Sequence, residues 1–225
     1  EGRQMTLTTL RCATFGAAGP QKRSKIEVPL CEFIGTFALV FFSAGVVMVV
    51  ISSFGHVSGA HVNPALSVAA VLLGRLEPRL LLGYALALAA SVLASSSLLA
   101  LPGDAGGSGT TLPNRALGVH AGLAFIVEAS LFFLLMWVVC GTAFDERASH
   151  GFAGLAVGAT MGIGVALMKP VAGAAMNPAR VLGPRIFSHR PADLWIYFAG
   201  SVIGMVLAAR TFRLTHVPTL PRDGG

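Results

Sequence analysis

The sequence predicts an all-α membrane protein built as an inverted repeat with two re-entrant half-helices, and three observations predict it. The 225 residues are 54% hydrophobic and only 12% charged, whereas about a quarter of the residues in a soluble domain are charged. Several apolar runs have the roughly 20 residues that a helix needs to cross a bilayer. The tripeptide Asn-Pro-Ala occurs at Asn63 and again at Asn177, 114 residues later, in equally apolar surroundings, which indicates a duplicated unit.

Five full spans are predicted, beginning after a basic tail over residues 1–27. The apolar stretch Val28–Phe54 has 27 residues, enough for a helix of about 40 Å, so we expect one continuous tilted span there. It is too short to supply two spans. Four further spans are predicted over Leu80–Leu101, Leu117–Phe144, Phe152–Met168 and Asp193–Phe212. The channel domain is then 28–213, and residues 214–225 form a C-terminal tail.

Two half-length helices complete the pattern, one after each Asn-Pro pair. Asn caps free N–H groups at a helix start, and Pro suits the first helical position because it needs no N–H partner there. The two apolar pieces, from Asn63 to Leu73 and from Asn177 to Phe187, are too short to cross a membrane. Backbone that turns back at membrane depth must have its polar groups satisfied by protein or water, so such half-helices normally line a cavity.

Charge and reactive side chains exclude several function classes. The formal net charge is +6, but most basic residues lie beside apolar runs, where positive charge sets membrane orientation, so nucleic-acid binding is not expected. The three cysteines, Cys12, Cys31 and Cys140, have no metal-ligand spacing and indicate no disulfide framework. No nucleophile with its base, phosphate loop or carboxylate pair is recognisable. We therefore expect no enzyme activity, no cofactor and no metal.

The doubled motif and its flanks resemble the major intrinsic protein family, the aquaporins and aquaglyceroporins. The resemblance covers about Glu32 to Arg213, and "GHVSGAHVNPA", "LLMWVVCGTAFDERA" and "MNPARVLGPRIF" are most similar to the nodulin-like plant branch. It implies a multi-pass channel, in the plasma membrane or an endomembrane, for water, glycerol, urea, or boric or silicic acid, with protons and ions excluded. The implied partners are the lipid bilayer and further subunits, as a homotetramer or as a hetero-oligomer with full-length relatives.

The resemblance also implies the pore residues. Asn63 and Asn177 would meet at the pore centre and donate hydrogen bonds to a passing oxygen. The two helix starts would pack together through Pro64, Ala65, Pro178 and Ala179. An acceptor ladder of backbone carbonyls, in extended conformation before each cap, would come from Gly59, Ala60, His61, Gly173, Ala174 and Ala175. The outer selectivity filter would consist of Arg180, Val165, Ala174 and Ser43.

Two acids begin equivalent apolar helices in the two halves. In the family a carboxylate at this place accepts hydrogen bonds from the re-entrant loop, which predicts that role for Glu32 and Glu128. The alternative is an acid at the membrane interface. His56 and His61 are given no metal or pH role, because the motif accounts for His61 through its backbone.

The two halves differ in length. Glu128 precedes Asn177 by 49 residues, whereas Glu32 precedes Asn63 by only 31, so the first half lacks 18, about one transmembrane helix. Five spans would put the termini on opposite sides, against the positive charges of the N-terminal tail. Three interpretations stay open: a solute channel of unusual build, a non-conducting regulatory subunit of related channels, and an incomplete, unstable product.

Overall fold

The computed structural model describes residues 26–42, 46–100, 111–145, 147–149, 151–187 and 191–215. Almost all of the two predicted tails lies outside these residues. The regular elements of the described part are all helices, and it contains no strand. Its α-helices are α1 (Glu27–Phe42), α2 (Val47–Ser58), α3 (Pro64–Leu72), α4 (Leu81–Ala100), α5 (Ala121–Val139), α6 (Ala153–Ala172), α7 (Pro178–Phe187) and α8 (Leu194–Thr215).

The helices form two equivalent sets of four. In the first set α1 packs along α4, and in the second set α5 packs along α8, while α2 and α6 pack on each other between the sets. α5 continues into a π-helical turn, Cys140–Phe144. Three of the described segments are long and apolar enough to cross a membrane: Ala121–Phe144, Ala153–Ala172 and Leu194–Thr215. The predicted all-α membrane class with two half-helices is confirmed.

The expectation of one continuous helix over Val28–Phe54 is wrong. The chain forms α1 and α2 there, and they pack as an antiparallel hairpin: Glu32 near the start of α1 contacts Ser58 at the end of α2, and Gly35 lies beside Val50. The hydrophobic run alone could not reveal the break, because both helices bury apolar residues against the same core. The single helix expected as the first of the five full spans is therefore replaced by two shorter helices, of 16 and 12 residues.

The 18 missing residues are therefore lost from the tip of a hairpin. Ten residues of α1 follow Glu32, whereas 16 helical residues follow Glu128 up to Phe144. α2 has 12 residues where α6 has 20, and the α1–α2 connection has four residues where the α5–α6 connection has eight. At 1.5 Å per residue, each arm of the first hairpin is shorter by about 9–12 Å.

The expected conflict in topology also disappears. Because the first set keeps its hairpin, it reverses direction as often as the second set, which brings the start of α1 and the end of α8 to the same face. The Arg213 guanidinium near the end of α8 donates to the Leu72 carbonyl at 3.0 Å, and the Pro29 ring lies 4.0 Å from a Cβ built on Gly83 at the start of α4. Positive charge beside a membrane span favours the cytosolic side, so we expect this face, which carries Arg213 and the Arg75 that follows α3, to be the cytosolic one.

Glycines of α6 record how far α2 extends. A Cβ built on Gly158 would lie 2.7 Å from Cβ and 2.9 Å from the backbone nitrogen of Met48, near the start of α2. Gly162 lies one turn further along the same face of α6, and a Cβ built on it would meet no described atom within 4 Å. The short α2 thus packs on the first half of α6 and, among the described residues, does not reach Gly162.

This contrast gives a stability prediction. Gly158→Ala should lower the free energy of unfolding by about 1–3 kcal/mol, because the added methyl overpacks against the backbone of Met48. Gly162→Ala should be neutral or stabilising by up to about 1 kcal/mol, because alanine is the better helix former. Thermal unfolding of the two purified variants in one detergent measures the difference. Equal losses would mean that α2 extends past Gly162.

Candidate functional site

The two Asn-Pro pairs begin the half-helices α3 and α7. The Asn63 side-chain oxygen accepts a hydrogen bond from the Ala65 amide at 3.1 Å, and Pro64 occupies the first helical position. In the second half, the Asn177 side-chain oxygen accepts from the Ala179 amide at 2.9 Å. Each Asn thereby satisfies a backbone N–H that the helix itself leaves without a partner.

The amide nitrogens of these two asparagines tie the half-helices together. Asn63 Nδ2 donates to the Met176 carbonyl at 2.9 Å, and Asn177 Nδ2 donates to the Val62 carbonyl at 2.6 Å. Each side chain thus reaches the residue just before the other asparagine. Both are almost fully buried. The structure brings together the two motifs that the sequence separates by 114 residues.

The loops before the two caps share one backbone conformation. Positive φ angles occur in the first loop at Gly59 (85°), Ala60 (41°) and Val62 (40°). Similar positive φ angles occur at the equivalent positions of the second loop, Gly173 (97°), Ala174 (44°) and Met176 (50°). The expectation of extended backbone is therefore wrong for Gly59, Ala60, Gly173 and Ala174. Left-handed conformations are costly for residues other than glycine and persist only where the surroundings hold them.

Glu32 holds the first loop. It is fully buried, and its carboxylate accepts hydrogen bonds from the Ser58 hydroxyl at 2.7 Å and from the His61 and Val62 amides at 2.9 and 2.7 Å. Successive amides that converge on one anion form a backbone nest, and alternating handedness makes this convergence possible. The carboxylate therefore lies inside the protein against the loop and not at a membrane interface.

Glu128 holds the second loop in the same manner. Its two oxygens accept from the Ala175 amide at 3.0 and 3.1 Å, and the Met176 amide also hydrogen bonds to it. In a trans peptide the C=O points away from the N–H of the next residue. The carbonyls of Ala60 and His61, and those of Ala174 and Ala175, are consequently directed away from the two carboxylates.

The candidate filter residues are only partly brought together. The Arg180 guanidinium is buried and donates to the Ala174 carbonyl at 3.0 Å and to the Ala175 carbonyl at 3.5 Å. Val165 is half-buried on α6 and packs against the apolar core. Its place beside Arg180 stays a prediction. Ser43 lies outside the described residues.

Sequence reasoning missed two tyrosines that hold the same loops. The Tyr84 hydroxyl on α4 donates to the Ser58 carbonyl, and the Tyr197 hydroxyl on α8 donates to the Ala172 carbonyl at 2.8 Å. Ser58 and Ala172 are the last residues of α2 and α6, just before the two loops. A signal was present, because these are the only tyrosines of the chain and they follow Asn63 and Asn177 by 21 and 20 residues.

His61 has structural partners in the loop. Its Nδ1 lies 3.0 Å from the Ser67 hydroxyl, and its ring packs against the Tyr84 ring at 4.9 Å between centroids. Within the described ranges, no group of three or more His, Cys, Asp or Glu residues could hold a metal ion. Among the described residues, the site therefore consists of amides, carbonyls, two carboxylates and the Arg180 guanidinium around two helix ends.

Comparison with known proteins assigns a family to this arrangement. The family model of the major intrinsic proteins matches residues 36–212. The chain is 37% identical to aquaporin NIP1-3 of Oryza sativa subsp. japonica, over 94% of this chain and 85% of that protein. It is 36% identical to nodulin-26 of Glycine max, over 78% of this chain and 64% of that protein. The aquaglyceroporin from Plasmodium falciparum shares the fold, with a TM-score of 0.71 at 20% identity over 84% of this chain and 96% of that chain.

The chain therefore belongs to the major intrinsic protein family. It is a multi-pass membrane channel for water and small solutes and not an enzyme. Within the family it is similar to the nodulin-like plant proteins, as the sequence motifs predict.

Proposed function

We propose that water and small uncharged solutes pass through the meeting point of α3 and α7, while protons and ions are excluded. The observation that carries this proposal is the reciprocal pair of hydrogen bonds from Asn63 and Asn177. These bonds hold two helix N-termini at one point, and each N-terminus is equivalent to about half a positive charge. Both charges repel a cation that arrives there, whereas they do not repel a neutral solute.

The asparagines are proposed to act as donors to the solute. An amide NH₂ has two protons, and each interhelix bond uses one of them, so the second can be donated to a passing oxygen. The carbonyls of the two loops, which are directed away from Glu32 and Glu128, are the proposed acceptors. A polar uncharged solute such as glycerol, urea or boric or silicic acid can exchange its hydrogen bonds with water for hydrogen bonds with these groups, one at a time.

Arg180 is proposed as the cation of the outer filter, with Val165, Ala174 and Ser43 around it. Arg180 is buried near Glu128 and is held by two loop carbonyls, so its charge has a defined position. Val165 and Ala174 are not bulky, which favours an opening wider than that of a strict water channel. The solutes are therefore expected to include small polyols and uncharged acids.

Stopped-flow swelling of proteoliposomes tests the proposal. Vesicles that contain the chain should swell in water, glycerol, urea and boric acid gradients well above empty vesicles. A trapped pH dye should report no added proton leak. Solute flux equal to that of empty vesicles would refute conduction by this chain and favour the regulatory-subunit interpretation.

Val165→Phe tests the filter assignment. A phenyl ring should narrow the opening without removing the Arg180 charge, so glycerol flux should fall about tenfold while water flux falls less than about threefold, a difference of about 1 kcal/mol. The control is Leu155→Phe, an outward position near the start of the same helix that is 50% exposed. Flux per reconstituted channel is the measurement. Equal loss of water and glycerol flux would remove Val165 from the filter.

Association with further subunits is part of the proposal, as a homotetramer or with full-length relatives. Its support is the outer face of the second half of α6, where Ile163 and Leu167 are exposed. Only 22% of the apolar segment of α6 is buried inside the protein, against 44% of the apolar segments of α5 and α8. Light scattering in detergent, with and without a co-expressed relative, distinguishes a monomer from either assembly.

A further inference from the structure

We propose that Arg185 is a positioning residue of the channel, which sets solute discrimination by bracing the loop that carries Ala174. The inference deepens the proposed function and rests on it. Arg185 lies on α7, five residues after Arg180, and its side chain was assigned no role from the sequence. It is only 1% exposed, so its charge is buried within the described part of the fold.

Arg185 connects two segments that come from different parts of the chain. Its Nε and Nη2 donate to the Thr111 carbonyl at 3.0 and 2.6 Å, and its Nη1 donates to the Ala192 carbonyl. The guanidinium also lies 5.5 Å from the centre of the Tyr197 ring, within cation–π range. A planar fork with five donors can make all these contacts at once, which lysine cannot do.

The segment that Arg185 holds lies directly on the second loop. A Cβ built on Gly173 would be 2.9 Å from the Thr111 Cβ and 3.0 Å from the Leu112 nitrogen, so the two backbones are in close contact. Asn114 extends the contact. Its backbone N–H donates to the Val171 carbonyl at 2.9 Å, and its side-chain Nδ2 donates to the Pro170 carbonyl at 2.8 Å. The segment 111–114 therefore covers the end of α6 and the start of the loop.

Tyr197 provides a second connection to the same place. Its ring faces Arg185, and its hydroxyl donates to the Ala172 carbonyl, two residues before Ala174. Ala174 has a φ of 44°, and its carbonyl accepts from Arg180. A residue held in this conformation relaxes when its surroundings loosen. The contacts at Thr111 and at Ala172 therefore fix the position of the Ala174 carbonyl, which accepts the hydrogen bond from Arg180.

The first half of the molecule serves as an internal comparison. Tyr84 makes the bond to Ser58 that Tyr197 makes to Ala172. The position equivalent to Arg185, eight residues after the asparagine, is Val71, which packs against the apolar core. The half that contains Arg180 thus has an arginine where the first half has a valine. This asymmetry points to a role at the filter and not in the fold that both halves share.

The experiment compares urea and glycerol flux per reconstituted channel in Arg185→Met, Arg185→Lys and Tyr197→Phe. Loosening the loop should admit the larger solute more readily, so the urea-to-glycerol flux ratio should fall about threefold to tenfold in Arg185→Met, as expected for the loss of buried hydrogen bonds. Arg185→Lys keeps the charge but has a single donor nitrogen in place of the planar fork, so the ratio should fall less in this variant. In Tyr197→Phe the flux ratio should fall about threefold. The effects of Tyr197→Phe and Arg185→Met on the ratio should be less than additive when combined, because both residues act on one loop.

Arg213→Met is the matched control, since it also removes an arginine-to-carbonyl bond, but at the opposite end of the molecule. A purely structural role for Arg185 would reduce the amount of folded channel and scale both fluxes equally. An unchanged ratio in Arg185→Lys and Tyr197→Phe, with wild-type chains conducting, overturns this inference alone, even where Arg185→Met does not fold. Wild-type chains without solute flux overturn the proposed function and the inference together.

Discussion

Glu32→Ala is expected to prevent stable folding of the first half of the channel. The substitution leaves the buried His61 and Val62 amides without their acceptor, and each unsatisfied donor costs about 1–3 kcal/mol. The expected loss of about 2–6 kcal/mol approaches the whole stability of many proteins. Unfolding in detergent, followed by circular dichroism, together with the yield of folded protein, measures it.

Glu32→Gln and Glu27→Ala provide the controls. Gln keeps one oxygen acceptor at the same place, so its loss should be clearly smaller than that of Ala. Glu27 is an exposed acid on the same helix, and its removal should change the unfolding free energy by less than about 0.5 kcal/mol. If Glu32→Ala and Glu27→Ala were equally mild, the carboxylate would not be what holds the first loop.

Arg180→Leu is expected to raise proton and cation leak by about 100-fold. A unit charge about 5 Å from a permeating cation, at an effective dielectric constant near 20, opposes its passage by about 3 kcal/mol. Removing the guanidinium removes this barrier, while the two helix ends still contribute part of the exclusion. The leak is measured in liposomes loaded with a pH-sensitive dye under a membrane potential.

Arg180→Lys separates the effect of charge from that of shape. It keeps the positive charge near Glu128 but loses the fork that contacts two carbonyls, so its leak should stay within about tenfold of the wild-type value. Water flux should remain measurable in both variants, which shows that the pore is still formed. A leak in Arg180→Leu no higher than that of the wild type would place the ion barrier elsewhere.

The local parts of the site could be predicted from the sequence because they depend on neighbouring residues. Asn63 and Asn177 cap the helices that begin after them, and the side-chain oxygens reach amides two residues ahead. The membrane class followed from composition and from the length of the apolar runs. The repetition of the motif was also visible without a structure, and it predicted that the two halves are equivalent.

The loop conformation could not be predicted in the same way. Alternating positive φ angles before each cap are unfavourable for Ala60, Val62, Ala174 and Met176, so local preference indicates extended backbone. The carboxylates that stabilise these angles come from Glu32 and Glu128, which are 29 and 47 residues away from His61 and Ala175. Only packing of α1 and α5 against the loops decides the outcome.

The sequence by itself determined the membrane class, the two capped half-helices and the 18-residue difference between the halves. The tertiary structure decided that this difference shortens a hairpin and does not remove a helix, because Glu32, Gly35 and the shortened α2 still pack against one another. It also decided the partners of Tyr84, Tyr197 and Arg185, whose hydrogen bonds go to backbone carbonyls. A carbonyl is present at every residue, so no sequence pattern identifies which one a side chain will reach.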